Sequence, residues 1–439
     1  MKKALIIGAA ISGIGAARLL NKYGYRVYLT DAKEIKERKE LEAEGILCFD
    51  NGHPDSLKEN DYDLIVKNPG IPYRVPFVRY FTDKGYKMYN EMEIACRFSS
   101  GMRIAAVTGT NGKTTTATLL GAILEANSPY GITAGNMGVS LCDIVRDHPE
   151  ERRDVGLEIA ALQLIGTETF HPHTAVIMNL TPDHLDYFGT LDNYYHAKTL
   201  IYRNMTKDDT FFFNADDPVI AEYCQDIPAS VVKFSTERTD TELRAEDGKV
   251  MLGDVCLFET KDLHIPGKHN LQNAMVAAGM AYKMDVPTDV IQQVISSFKG
   301  VEHRIEYTAT INGVRYYNDS KGTNPDAVMV ALKAFDEPIH LLAGGYDKKL
   351  PFDSLAPFLP KIKQMYVYGA TKDALKKLDP RALEFNDMNE AIHAAYERAL
   401  PGEVVLLSPA CASWDQFPNY EVRGKIFKEI VRSLPGKKE

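Results

Sequence analysis

The sequence contains no low-complexity tract, no tandem repeat and only one tryptophan. No apolar run approaches the roughly 18–20 residues that a membrane-spanning helix needs. Cysteines are few and dispersed: Cys48, Cys96, Cys142, Cys224, Cys256 and Cys411 form no C-x-x-C pair. That pattern excludes a disulfide framework or a paired-cysteine zinc site and fits reduced, buried thiols. Positive charge is not in excess. A formal net charge of −9 argues against a general nucleic-acid binder, although local basic pockets remain compatible with it. The opening MKKALIIGAAISGIG has two lysines and a short apolar stretch, but Gly8, Ser12, Gly13 and Gly15 interrupt it and no cleavage pattern follows. The expectation is a soluble, cytoplasmic protein with neither nucleic acid nor membrane as partner.

At 439 residues the chain is long enough for two or three domains, each with its own core. Short apolar strands alternate with helical segments throughout, which predicts an α/β architecture with largely parallel sheets. A first module holds ALIIGAA, RVYLTDA and DLIVKNPGIP; a second runs from MRIAAVTGTNGKTTT through HTAVIMNLTPDH and FFFNADDP to a helix after GKHNLQNA. The third begins near VEHRIEY and carries YYNDSKGTNPDA, IHLLAGGYDKK, MYVYGA and VVLLSPACASWDQF. The expected limits are 1–94, 95–300 and 301–439. Ligands of open α/β sheets bind at the carboxyl ends of strands, so the polar loops after these strands are where chemistry is expected.

TGTNGKTT is a phosphate-binding loop by its residue types. Backbone N–H groups and a helix N-terminus cradle anionic oxygens, and Gly109 and Gly112 let the backbone approach closely. Thr110, Asn111 and Thr115 complete the loop, Lys113 would neutralise β/γ-phosphate charge, and the Thr114 hydroxyl would ligate Mg²⁺. The first glycine sits three residues before the second, which departs from the common G-x-x-x-x-G-K spacing. ATP is the expected ligand. GAAISGIGAA with Asp31 resembles a dinucleotide fingerprint with the wrong glycine spacing, so a uridine nucleotide fits as well as NAD, and a purely structural turn competes.

Other candidates carry two readings each. Glu158 in DVGLEIAALQL is a buried acid, either a Mg²⁺ ligand or half of a salt bridge. Asp183, His184 and Asp186 share one loop and suit metal or phosphate work, against ordinary loop capping. Lys198 falls on an apolar helical stripe with Tyr194, Ala197, Ile201, Tyr202 and Met205. The residues alone favour snorkelling; a desolvated amine would instead react with CO₂ to give an anionic carbamate ligand. Asn270 and Asn273 offer amides to a base edge, or Asn270 caps a helix. Asp319, Lys321, Thr323, Lys348, Ser413 and Tyr420 gather on loops after three strands, where cations beside hydroxyls suit a small carboxylate.

These motifs together resemble the Mur ligase family. GTNGKTT, GNMG at 135–138, the glutamate and DHLD block, HAK at 196–198, GKHN-x-x-N, HR at 303–304, NDSKGTN, GG-x-DK and SPACASWDQF occur in order from residue 4 to about 430. The resemblance implies a Rossmann-like N-terminal domain, a P-loop NTPase-like central domain and a Rossmann-like C-terminal domain. It further implies an ATP-dependent amide-bond ligase of peptidoglycan synthesis that adds D-glutamate to UDP-N-acetylmuramoyl-L-alanine through an acyl phosphate. Ser12, Gly13, Asp31, Gly70 and Asn136 would hold the UDP-linked substrate. ATP would be bound by residues 109–115, Asn270, Asn273, Arg304 and Asp319, with His303 beside Arg304 at the hinge. Mg²⁺, or Mn²⁺ as an alternative, would sit on Thr114, Glu158, His184 and a carbamylated Lys198. Lys113, His184, Lys198 and Lys321 would act in catalysis, and Thr323, Lys348, Ser413 and Tyr420 would hold D-glutamate in a monomeric enzyme.

Two positions depart from the family pattern. Ala160 and Ala161 stand where a serine pair is usual, which removes a hydroxyl contact and about 1 kcal/mol of substrate binding. Tyr420 replaces a common phenylalanine and keeps the ring. The rival readings are a sister Mur ligase or folylpolyglutamate synthase with another amino acid, an NAD-dependent oxidoreductase that leaves GTNGKTT unexplained, and an inactive nucleotide-binding regulator.

Overall fold

The computed structural model describes residues 1–135, 140–183, 185–265, 267–347 and 351–437. Among these, the strands form three sheets of five, nine and six strands. Each sheet is built from short runs such as KALII, LIVK, TAVI and VVLL that are buried on both faces, as expected where helices cover a parallel sheet. No helix among the described residues is long and apolar enough to cross a membrane.

The first sheet is wholly parallel, in the order Leu47–Phe49, Arg26–Thr30, Lys3–Ile7, Leu64–Lys67, Met88–Tyr89. The chain moves outward on one side of Lys3–Ile7 and then crosses to the other, so a switch point opens between Lys3–Ile7 and Leu64–Lys67. Helix Glu91–Phe98 follows, capped by the Asn90 side chain on the Glu93 N–H at 3.0 Å. The Glu93 carboxylate, fully buried, accepts from the Glu168 N–H (2.8 Å), the Thr169 N–H (2.9 Å) and the Thr169 hydroxyl (2.8 Å). This helix therefore grips the loop ahead of strand Thr174–Ile177.

In the second sheet Met102–Thr108 lies between Thr174–Ile177 and Arg153–Glu158, all parallel, with Gly131–Gly135 at one edge. The other edge departs from the parallel expectation: Leu243–Glu246, Lys249–Leu252 and Val255–Glu259 pair antiparallel as hairpins. The third sheet runs Glu306–Ile311, Val314–Asn318, Val404–Leu407, Ile339–Gly344, Ile362–Tyr368, Leu383–Glu384, with only the first pair antiparallel. By compactness the chain divides into two units, 1–262 with 272–295 and 263–271 with 296–439. All six cysteines are free; Cys256 is exposed, against the expectation that each is buried.

At the amino end of the third sheet, away from its loop-bearing edge, a buried polar network stands in for apolar packing. His340 pairs with the Tyr366 hydroxyl and with the Glu403 carboxylate, each at 2.8 Å, and Lys363 donates to the other Glu403 oxygen. Burial alone would raise the Glu403 carboxyl, but Lys363, the Leu400 N–H and His340 hold it down at about 2. Because that lies below the usual unfolded value of about 4.3, the carboxylate stabilises the fold above that pH and loses the contribution as pH falls toward 2. Glu403→Gln is therefore expected to cost about 2 kcal/mol at neutral pH. In denaturant titrations the gap to the unsubstituted chain should close on acidification; a gap unchanged with pH would contradict this account.

Candidate functional site

Strand Met102–Thr108 ends in Gly109, and helix Lys113–Asn127 begins four residues later. Gly109 has φ +143°, and a Cβ there would meet Met178 Cβ at 3.0 Å and the Asn179 nitrogen at 3.2 Å. Gly112 has φ +81°, and its Cβ would meet Asn273 Oδ1 at 2.6 Å. Both positions need glycine for conformation and for space. The intervening residues are tied to the end of the neighbouring strand. Thr110 donates its N–H to the Asn179 carbonyl (3.0 Å) and its hydroxyl to the Thr181 carbonyl (3.0 Å), while the Asn111 N–H reaches Asn179 Oδ1 at 2.8 Å. Thr116 donates to Asn273 Oδ1 at 3.3 Å. Asn273 thus packs against the loop, as do Asn179 and Thr181, which the sequence did not single out.

Two ammonium groups meet on this loop. Lys113 Nζ donates to the Gly109 carbonyl at 2.9 Å and the Thr110 carbonyl at 2.7 Å; Lys198 Nζ donates to the same Gly109 carbonyl at 2.8 Å. Lys198 is 1% exposed, which overturns the snorkelling reading: the stripe Tyr194, Ala197, Lys198, Ile201, Tyr202, Met205 is buried throughout, and the Tyr194 ring covers the ammonium at 4.6 Å. Burial drives the Lys198 amine well below the usual lysine value, Lys113 pushes it further down, and Asp183 and Glu158 oppose the shift. Glu158 ends strand Arg153–Glu158, buried and in register with Val107.

Two oxygen donors of the kind a divalent cation takes stand at the ends of these elements. The Glu158 carboxylate and the Thr114 hydroxyl on the first turn of the helix are hard oxygen donors. Among the described residues no group of three or more His, Cys, Asp or Glu is arranged around a metal position. His184 lies outside the described residues, as do Asn136 and Lys348. A neutral amine at Lys198 is the form that CO₂ attacks. Ala160 precedes the short helix Ala161–Leu164 with its N–H on Gln163 Oε1 at 2.8 Å, so half of a capping box survives without the serine hydroxyl.

The switch point of the first sheet is lined by two interlocked loops. Asp31 accepts the Ala9 N–H (2.7 Å) and the Lys33 N–H (2.8 Å); Asn68 reaches the Ser12 hydroxyl at 3.2 Å and accepts the Gly70 N–H at 3.0 Å. Gly13, in the first turn of helix Ile11–Lys22, lies so close to the preceding turn that a Cβ would sit 1.8 Å from the Gly8 carbonyl oxygen. Ser12, Gly13, Asp31 and Gly70 therefore lie on neighbouring loops at one end of the first sheet.

The second unit has its own cluster after strands Val314–Asn318, Ile339–Gly344 and Val404–Leu407. Asp319 is fully buried and accepts the Ser408 hydroxyl (2.7 Å) and the Ile305 N–H (3.2 Å). Burial raises its carboxyl to about 6 against the pull of Arg304. Asn419 caps helix Tyr420–Ser433 on the Val422 N–H at 2.8 Å, which sets the Tyr420 ring 6.0 Å from Lys321 Nζ. Arg423, fully buried, donates to the Ser320 hydroxyl (3.0 Å), the Ser320 carbonyl (2.8 Å) and the Cys411 carbonyl (3.1 Å), joining the loop that carries Lys321 and Thr323 to the one that carries Ser413. Sequence reasoning missed Arg423 and Ser408. Asn270 is the third residue of helix Lys268–Lys283, so the capping alternative does not hold.

The Mur ligase middle domain matches residues 107–281, and the Mur ligase glutamate ligase domain matches residues 303–411. Over 99% of this chain and 98% of the relative, the sequence is 40% identical to the UDP-N-acetylmuramoylalanine–D-glutamate ligase of Geobacillus kaustophilus. The enzyme of the same name from Lactiplantibacillus plantarum is 40% identical over 100% of this chain and 98% of its own. The fold is similar to that of the MurF ligase of Thermotoga maritima in complex with ADP, with a TM-score of 0.59 at 18% identity over 94% of this chain and 97% of that one. With a glycine-built turn between strand and helix and these full-length likenesses, the chain belongs to the Mur ligase family.

Proposed function

We propose that the chain is an ATP-dependent ligase that joins D-glutamate to UDP-N-acetylmuramoyl-L-alanine during cytoplasmic synthesis of peptidoglycan precursors. The observation that carries this reading is the convergence of Lys113 and Lys198 on the Gly109 carbonyl, at the mouth of a loop built to approach phosphate. It rests equally on the full-length likeness to ligases of that name. Limits of 1–94, 95–300 and 301–439 separate the nucleotide-substrate, ATP and amino-acid modules of a monomer.

Residues 109–115 hold the triphosphate of ATP, with Asn270, Asn273, Arg304 and Asp319 completing the nucleotide contacts. Ser12, Gly13, Asp31, Gly70 and Asn136 bind the UDP-linked acid. Its alanyl carboxylate attacks the γ-phosphorus, the bond to the bridging oxygen breaks, and ADP leaves. The acyl phosphate is then attacked by the amine of D-glutamate, held by Thr323, Lys348, Ser413 and Tyr420, and phosphate departs. Lys113 screens the repulsion between the two anions and Lys321 acts on the nucleotide side. A divalent ion on Thr114, Glu158, His184 and carbamylated Lys198 would supply further screening of charge on the transferred group. A sister ligase for another amino acid shares the phosphate loop but does not account for the likeness across the third module.

Phosphate release should require UDP-N-acetylmuramoyl-L-alanine and D-glutamate together. Assays with each omitted check this, and equal turnover with L-alanine or meso-diaminopimelate would remove the D-glutamate assignment. Lys198→Ala is expected to lower turnover by about a hundredfold or more. High bicarbonate should not restore that variant, whereas short-chain carboxylic acids should recover part of its rate; turnover equal to the unsubstituted chain would remove the carbamate.

A further inference from the structure

Lys67 is the last residue of strand Leu64–Lys67 and stands at the switch point of the first sheet. It is 3% exposed, in a position where a lysine that served only as a loop cation would face water. Its ammonium donates to three carbonyls of the loop that follows: Asn68 at 3.1 Å, Pro69 at 3.5 Å and Ile71 at 2.7 Å. The Tyr73 ring closes over it, 4.6 Å from Nζ. Among the described residues no carboxylate is ion-paired with it. Burying an ammonium on neutral partners is costly, and an apolar side chain would fill the same volume more cheaply. Burial lowers its pKa to about 8, so the charge is still present at neutral pH.

We propose that Lys67 is a positioning residue for the nucleotide-linked substrate, its buried ammonium fixing the 68–71 loop in the shape that receives a nucleoside diphosphate. This rests on the reading of the first module as the site of that substrate. The physical reason lies in where the loop's dipoles point. Pro69 and Pro72 have no N–H, so the loop has few donors with which to balance its carbonyls. Carbonyl oxygens turned toward the cleft would repel phosphate oxygens; gathering three of them onto one cation removes that repulsion. The same turn frees the Asn68 side chain to bridge Ser12 at 3.2 Å and Gly70 at 3.0 Å. It also seats Asn68 against Gly8, whose φ is +104° and whose Cβ would lie 2.7 Å from Asn68 Cβ. Lys67 thus acts through the loop and touches no reacting atom.

The test is steady-state kinetics of the full chain and of Lys67→Met, with each substrate varied in turn. Lys67→Met should raise KM for the UDP-linked substrate about tenfold, with kcat and the KM values for ATP and D-glutamate within about twofold. A KM for the UDP-linked substrate that does not move, or KM values that rise equally for all three, would overturn the proposal. Should Lys67→Met not fold, Tyr73→Leu, which removes only the covering ring, decides the matter. It should shift the same KM in the same direction by about threefold, and no shift would count against the role. If the unsubstituted chain binds no UDP-linked substrate, the functional reading falls and this inference with it. A wild-type KM that is normal and unaltered in the variants removes Lys67 alone.

Discussion

Two lysine ammonium groups share one backbone carbonyl, that of Gly109, and the design of the first unit follows from keeping them there. Like charges so close repel, and the repulsion is eased in two ways. Lys198 lies in a buried helix stripe under Tyr194, where it gives up its proton readily, and the acids Glu158 and Asp183 pull the other way. The result is a locus whose backbone and cations favour anions. A chain with a net charge of −9 concentrates positive charge where its chemistry requires it.

The surrounding structure serves to hold loops at strand ends. Asn179 and Thr181 brace the phosphate loop from the adjacent strand, Glu93 fixes the segment ahead of that strand, and Asp31 and Asn68 lock the turns of the first sheet. In the second unit Asp319, Ser408 and Arg423 do the same with buried polar groups. The arrangement is repeated three times: a largely parallel, apolar sheet supplies rigidity, and hydrogen-bonded loops gather at its carboxyl edge. Side chains that would destabilise a core elsewhere are retained at these edges, where each finds a backbone partner.

Much of this was legible in the residues. Glycine spacing and the G-K-T tripeptide marked the strand-to-helix turn at 109–113, the alternation of strand and helix gave the three sheets, and Glu158 was recognisable as a buried acid. Lys198 shows where such reading fails. Helical periodicity placed it on the apolar stripe, yet whether a long cation escapes to water depends on what covers the stripe, and here the phosphate loop does so from 89 positions away in sequence. Asn179 and Thr181 are neutral loop residues beside ionisable ones, and only the fold shows that they bond the 109–111 turn. Lys67 looks like a solvated loop lysine until the fold buries it. Ile305 at φ +45° carries no signal in the sequence, since a β-branched side chain rarely takes that conformation.

Equilibrium binding of ATP to the unsubstituted chain and to Lys113→Met, followed by calorimetry, tests the central claim most directly. With one of the two cations removed, affinity should fall by about a hundredfold. Equal affinity in a variant that still joins its substrates would contradict the account.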